Sequence, residues 1–342
     1  MLNNGEGFRR LTADDCCHVL KDKKLGDAGY AALGVHVDDM LCIGDEAGQQ
    51  LTGELLNKTF KVKCEFDPPV ITGVQLIHDQ EAGYAKLHMA GFIEQMLVRC
   101  GMEHCTPQKI PLDPGVAKGP VPALGEEPPD GIEIAKLFQC IMLLWVAIKC
   151  RPDIMFAVCF LGRFASCAGN QQIGWAKGVI RYLAGTKSWG LDFQRTEEKA
   201  VLQAACDADF AGDSRSGRRT SGIYFGYGPQ YNPDNPPEPQ VGMLVGSSFL
   251  ERKLASSTGQ SETHAAHDIV EEVDWVRLMA AELGETIDYP VKMHCDNAGV
   301  VKQAAKQVNH AAAKHYRMAQ AVIRQRVDDA KVDVRDIATA LN

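Results

Sequence analysis

Three acidic residues stand where apolar runs begin or end, and their placement raises the question of what this chain does. Ala200, Val201, Leu202, Ala204 and Ala205 lead into Cys206-Asp207-Ala208-Asp209-Phe210-Ala211-Gly212-Asp213. The run predicts a core strand with an acid-rich segment at its end. Far downstream, Glu262 opens a stretch with helical apolar spacing, and Asp296 ends a second apolar strand. Carboxylates at three element ends can be brought together by a fold, and such a set suits a hard divalent cation, magnesium first. Side chains alternate along an extended segment, so Asp207 and Asp209 share a face and spacing leaves both open. Glu262 also has a plain alternative, a first-turn glutamate favoured by the positive end of a helix.

The elements that must position these acids are legible in outline. The segment 7–43 reads as β-rich, with a strand at 17–20 and a hairpin over 30–43 whose two apolar runs are interrupted by Asp38-Asp39. That pair is either a solvated turn or a set of metal ligands at a hairpin tip. Helical spacing follows over 46–60, then strands at 70–77 and 85–88, then a helix over 89–100. Seven prolines between 106 and 130 predict a linker. Helices over 132–148, 152–168 and 173–183 make a connecting module with no evident catalytic group. From residue 199 the pattern turns to strands at 200–206, 222–227 and 242–254. A helix over 262–283, a strand at 291–295, helices over 298–307 and 311–327 and a strand at 332–337 complete it. Neighbouring strands followed by alternating helices and strands predict a mixed α/β (α+β) sheet with helices packed on it.

With 342 residues, 45% hydrophobic and 23% charged, the chain has the composition of two or three globular domains. It contains no run of about 18 apolar residues and no signal-peptide pattern at its start, so the expected setting is intracellular and soluble, cytoplasm or nucleus, without a membrane. Twelve cysteines are scattered without zinc-ligand spacing and are expected to be reduced packing residues. A net charge of −8 is the wrong sign for a protein that simply coats nucleic acid, so any such binding must rest on local basic groups and bound metal.

Several segments resemble, in the same order, the C-terminal part of the Pol polyprotein of copia-type LTR retrotransposons. Val35-His36-Val37-Asp38-Asp39 is similar to the reverse transcriptase Y-V-D-D hairpin, with His36 in place of tyrosine. Arg151-Pro152-Asp153-Ile154-Met155-Phe156-Ala157-Val158 resembles R-P-D-I-x-F-A-V, and Arg181-Tyr182-Leu183-Ala184-Gly185-Thr186 resembles R-Y-L-K-G-T. Cys206 to Asp213 is similar to S-D-A-D-W-A-G-D, Arg218-Arg219-Thr220-Ser221-Gly222 to R-R-S-T-S-G, Ser256 to Glu262 to S-S-T-x-E-A-E, and Asp296-Asn297 to a strand-ending D-N.

The resemblance implies a partial reverse transcriptase palm and thumb-like region (1–105), a linker (106–131), a helical connection (132–195) and a ribonuclease H-like domain (196–342). It assigns Asp207, Glu262 and Asp296 as ligands of two magnesium ions, with manganese as a substitute. The chemistry is hydrolysis of the RNA strand of an RNA–DNA hybrid, one ion helping to generate the nucleophile and the other stabilising the leaving oxygen. Arg218 and Arg219 are expected as phosphate contacts, and Lys314, Arg317 and Arg324 share one helix face that is either a further contact or simply solvated. Asp38 and Asp39 are read as a polymerase-motif remnant whose partner aspartate comes from an upstream polymerase segment, so no stand-alone DNA polymerase activity is expected. The family's fourth nuclease carboxylate falls in a motif expected to begin where this sequence stops. The alternative is a catalytically inactive or repurposed element fragment that binds nucleic acid or a protein partner.

Overall fold

The computed structural model of the chain describes residues 7–21, 29–118, 139–165, 169–209, 218–230, 242–251, 257–305 and 317–337. It divides into two compact units, one of residues 1–72 with 271–289, the other of residues 73–270 with 290–342.

In the first unit, β1 (Phe8–Arg10), β2 (Cys17–Lys21), β3 (Tyr30–His36) and β4 (Asp39–Gly44) form an antiparallel sheet in chain order. Alternation buries Ala31 and Leu33 of β3, and α1 (Glu46–Thr59) adds Leu55 and Leu56 to the same core. Asp45 caps α1: its carboxylate accepts from the Gly48 N–H at 2.7 Å and from the Gly29 and Tyr30 N–H groups at 3.0 and 2.9 Å. β5 (Val70–Ile71) follows. Within the 271–289 segment, Glu282 accepts from the Thr12 and Ala13 N–H groups, tying that segment to the loop after β1.

The second unit has two sheets. In the first, β6 (Val74–Asp79), β7 (Tyr84–His88) and β8 (Gly190–Gln194) pair antiparallel. The strand β8 lies inside a region whose sequence predicts only helices and connection. It forms because Gly190 can bring its backbone against β7: a Cβ there would lie 2.1 Å from the Leu87 carbonyl oxygen. Around this sheet pack α2 (Ala90–Arg99), α4 (Gln139–Lys149), α5 (Met155–Gly162) and α6 (Asn170–Gly185), with Met89, Ile93, Leu143, Val146, Ile154 and Val179 fully enclosed. The proline-rich tract begins as packed structure. The Gln108 N–H donates to the Arg181 carbonyl at 3.3 Å, and a short helix α3 (Pro114–Lys118) follows; residues 119–130 lie outside the described residues.

Two of the sequence motifs meet here. Arg151, 1% exposed, donates from Nε to Asp153 Oδ1 and from its terminal nitrogens to Asp153 Oδ2, to the Thr186 carbonyl and to Thr186 Oγ1. The Tyr182 hydroxyl completes the cluster by donating to Asp153 at 2.7 Å. The R-P-D and R-Y-L-x-G-T segments are therefore two halves of one buried, charge-assisted clamp between α5 and α6. Removing one half would strand a buried charge.

The other sheet has five strands in the order β11-β10-β9-β12-β13. β9 (Val201–Asp209), β10 (Thr220–Gly228) and β11 (Gly242–Leu250) are antiparallel, while β12 (Val291–Cys295) and β13 (Val332–Asp336) run parallel to β9. Parallel neighbours need crossovers. The first passes through α7 (Thr258–Leu283), whose residues to Val270 belong to this unit, and the second contains α8 (Ala298–Ala305) and α9 (Arg317–Asp328). This is the mixed sheet with flanking helices that the pattern predicts.

Candidate metal centre and nucleic-acid face

The acids are positioned by strand register. Cys295 of β12 lies directly opposite Cys206 of β9 in a parallel ladder. Asp207 and Asp296 each come one residue after those cysteines, so the two carboxylates leave neighbouring strands at the same level. Along β12 the burial alternates, with Val291, Met293 and Cys295 fully inward. Asn297 then fixes the exit: its Oδ1 accepts from the Gly299 and Val300 N–H groups at 3.0 and 3.2 Å, starting α8 immediately after Asp296. Asp207 is exposed and Asp296 half-buried.

Glu262 arrives from α7. The helix begins at Thr258 and not at Glu262, so this glutamate sits in the second turn, beyond the reach of a simple first-turn dipole effect. It shares a face with Ala265, Ala266 and Ile269, all fully buried, which carries its carboxylate inward to 5% exposure. Oε2 of Glu262 has no hydrogen-bond partner among the described residues. Loss of water, then the neighbouring Cys295, Asp207 and Asp296, push its pKa up to about 8, against a smaller opposing pull from Arg219. Ligand atoms of Glu262, Cys295 and Asp296 all lie within 4.8 Å of one another. These three atoms could hold a metal ion, and Asp207 is close enough for its charge to be felt by Glu262.

Sequence reasoning took the cysteines only as packing residues, and none of those described as free forms a disulfide. Cys206 and Cys295 do more: the two thiols hydrogen-bond, and that contact raises Cys206 well above an ordinary thiol and lowers Cys295. The available signal was the dipeptide Cys-Asp, which occurs twice, at the two positions where the pairing of β12 with β9 stops.

The basic residues divide. Arg218 is exposed. Arg219, expected as a phosphate contact, is 2% exposed and ion-paired with Glu251 at 3.0 Å, while Ser221 Oγ donates to the same carboxylate at 2.8 Å. Arg219 directly precedes β10, and its buried ion pair with Glu251, just after β11, ties the ends of the two strands together and keeps it from being presented to a ligand. Arg317 is exposed at the start of α9; Arg324 is half-buried and donates to the Gln303 carbonyl at 2.9 Å; Lys314 lies outside the described residues. Asp38 and Asp39 are both exposed at the β3–β4 turn in the first unit. The structure gathers no three-ligand group around them among the described residues.

No family model matches the chain. The retrovirus-related Pol polyprotein from transposon TNT 1-94 of Nicotiana tabacum is 27% identical over 340 residues, which is 98% of this chain and 24% of that protein. The likeness to Pol polyproteins of plant transposons runs over nearly the whole chain, in agreement with the resemblance to copia-type LTR retrotransposons. The corresponding polyprotein from transposon RE2 of Arabidopsis thaliana is 26% identical over 312 residues, 89% of this chain and 20% of the relative. The chain thus spans about a quarter or less of the length of the curated relatives it matches. A solved structure of the foamy viral protease-reverse transcriptase in complex with dsDNA is similar over 90% of this chain and 55% of that one, at TM-score 0.43 and 11% identity. No described helix is long and apolar enough to cross a membrane.

Proposed function

We propose that the C-terminal part of this chain hydrolyses the RNA strand of RNA–DNA hybrids, with Asp207, Glu262 and Asp296 holding two magnesium ions and manganese as a substitute. The observation that carries this reading is the buried Glu262 carboxylate, unpartnered at Oε2 among the described residues and pressed by three further acidic groups. Such a donor set fits a divalent cation, whose charge would offset the burial and the repulsion that keep a proton on Glu262. When bound, magnesium would supply charge neutralisation at the phosphate and a more acidic attacking water. Glu262 would hold the ion as its carboxylate, Asp207 within β9 and Asp296 just after β12 would offer theirs, and Asn297 starts α8 directly after Asp296.

Hybrid binding falls to the exposed Arg218 and Arg317 as phosphate contacts, because A-form geometry offers backbone and minor-groove shape more than base edges. We assign functional parts as 1–105 palm and thumb-like, 106–131 linking, 132–195 connecting and 196–342 nuclease, with upstream polymerase segments as a further partner. The test is magnesium-dependent cleavage of a labelled RNA–DNA hybrid by this chain and by Asp207→Asn. Cleavage lost only in the variant supports the reading. No cleavage by either, or equal cleavage by both, removes it in favour of an inactive or repurposed binding fragment.

A further inference from the structure

A hard-cation centre needs only oxygen donors, yet the floor of this one carries sulfur. Cys295 Sγ lies within 4.8 Å of ligand atoms from both Glu262 and Asp296, and Cys295 is completely enclosed. Its parallel-strand neighbour Cys206 hydrogen-bonds to it and is 1% exposed, so the sulfur is held in place by a second buried thiol. Glu262 contributes an independent sign of a ligand position, a carboxylate 5% exposed whose Oε2 has no hydrogen-bond partner among the described residues and which belongs to the same group of atoms. Asp296, half-buried, supplies the opening toward solvent. Magnesium has little use for a thiol, whereas zinc and cadmium accept mixed sulfur and oxygen ligands.

We propose that this centre binds a thiophilic divalent cation, Zn²⁺ or Cd²⁺, through Cys295 Sγ together with Glu262 and Asp296, in competition with magnesium. The proposal rests on the reading of these acids as a metal centre and adds a second ion class and an inhibitory mode to it. On binding, the Cys295 S–H proton passes to solvent, the sulfur lone pair forms the bond to the cation, and no electrons are transferred. Cys206 keeps its proton and stays a hydrogen-bond donor to the bound sulfur, acting as a positioning residue.

Cadmium itself is the probe. Titration of the metal-free chain is expected to bring up sulfur-to-cadmium charge-transfer absorption, and Cys295→Ser is expected to weaken the tightest binding step by about tenfold or more. Cadmium is expected to inhibit magnesium-dependent hybrid cleavage by the wild-type chain, and Cys295→Ser is expected to need about ten times more cadmium for the same fractional loss of whatever cleavage it shows. Unchanged cadmium affinity and stoichiometry in a folded Cys295→Ser protein would overturn the proposal. Should that variant fail to fold, wild-type crystals soaked in cadmium decide the matter: an anomalous peak beside Cys295 is expected, and its absence at a site otherwise intact refutes the proposal. Neither binding readout depends on cleavage. Absence of hybrid cleavage in magnesium would count against the nuclease reading alone, and absence of cadmium at Cys295 against this one alone.

Discussion

Two regions of this molecule carry acids where a strand stops, and they differ in what surrounds them. At the β3–β4 turn, Val37 and Asp38 form a two-residue loop and Asp39 opens β4, all exposed, with Val37 at φ 54° and 82% exposed. Where the pairing of β12 with β9 stops, Asp207, still inside β9, and Asp296, just after β12, stand level with each other near a third carboxylate that a helix has carried into the interior, and the strand expected to end at 206 runs on to Asp209. Local sequence made both acidic strand ends. Only the second has a crossover helix to add a buried ligand, and burial is what turns a carboxylate from a solvated charge into a group that calls for a counter-ion.

The sharpest way to break this contrast is substitution at both places. Asp207→Asn and Asp296→Asn are each expected to lower magnesium-dependent hybrid cleavage by about 100-fold or more, because charge at the reacting phosphate loses its support. Asp38→Asn and Asp39→Asn should change it less than about twofold, since surface changes away from a site act weakly. Comparable losses from both pairs in a single-turnover cleavage assay would erase the distinction. A purified chain is likewise expected to give no primer extension on an RNA template; measurable extension would show that the exposed pair is a working site.

Arginine neighbours sharpen it next. Arg219→Ala leaves Glu251 without its cation in a largely enclosed position and should destabilise the fold by about 3 kcal/mol in urea unfolding. Arg218→Ala should leave stability within about 0.5 kcal/mol while weakening hybrid binding and reducing its salt dependence by about one unit of slope. Equal destabilisation by both would mean that adjacency in sequence, and not the inward or outward turn of each side chain, governs their roles.

A smaller effect tests the buried carboxylate. The Glu262 pKa is about 8 in the folded chain against an ordinary 4.5. Between those values the folded state holds a proton that the unfolded state has released, so stability falls as pH rises through that window. Glu262→Gln should therefore raise the stability of the metal-free chain above pH 7 by about 2 kcal/mol and flatten its decline between pH 5 and pH 8. A steeper decline in the variant would mean that the carboxylate is ionised when folded. The smallest change is expected at the other acidic turn. Val37→Gly relieves a β-branched residue of a left-handed backbone and should raise stability by about 0.5 to 1 kcal/mol. A loss of stability in thermal unfolding would mean that the turn needs the side chain.

Sequence by itself determined a good deal here. Apolar alternation and helical spacing marked strands at 17–20, 200–206, 222–227 and 291–295 and helices over 46–60, 89–100 and 173–183, which the fold sets at 17–21, 201–209, 220–228, 291–295, 46–59, 90–99 and 170–185, because those patterns follow from the period of each backbone. Motif order marked the resemblance, and Asp207, Glu262 and Asp296 stood out as acids beside apolar runs, although Asp207 lies inside β9. Other features were decided only by tertiary structure. Pairing of β8 with β7, more than a hundred residues apart, left no local pattern to read. Arg218 and Arg219 look alike in sequence, and only the buried pairing of Arg219 with Glu251 across the sheet separates a surface cation from an enclosed one. Helix α7 begins at Thr258, which moves Glu262 from an exposed first turn to an inward second one. Above all, the register of β12 against β9 set Cys295 beside Cys206 and their two aspartates level with each other. Register is a choice among long-range pairings made by the packing of the whole sheet, and no window of sequence contains it.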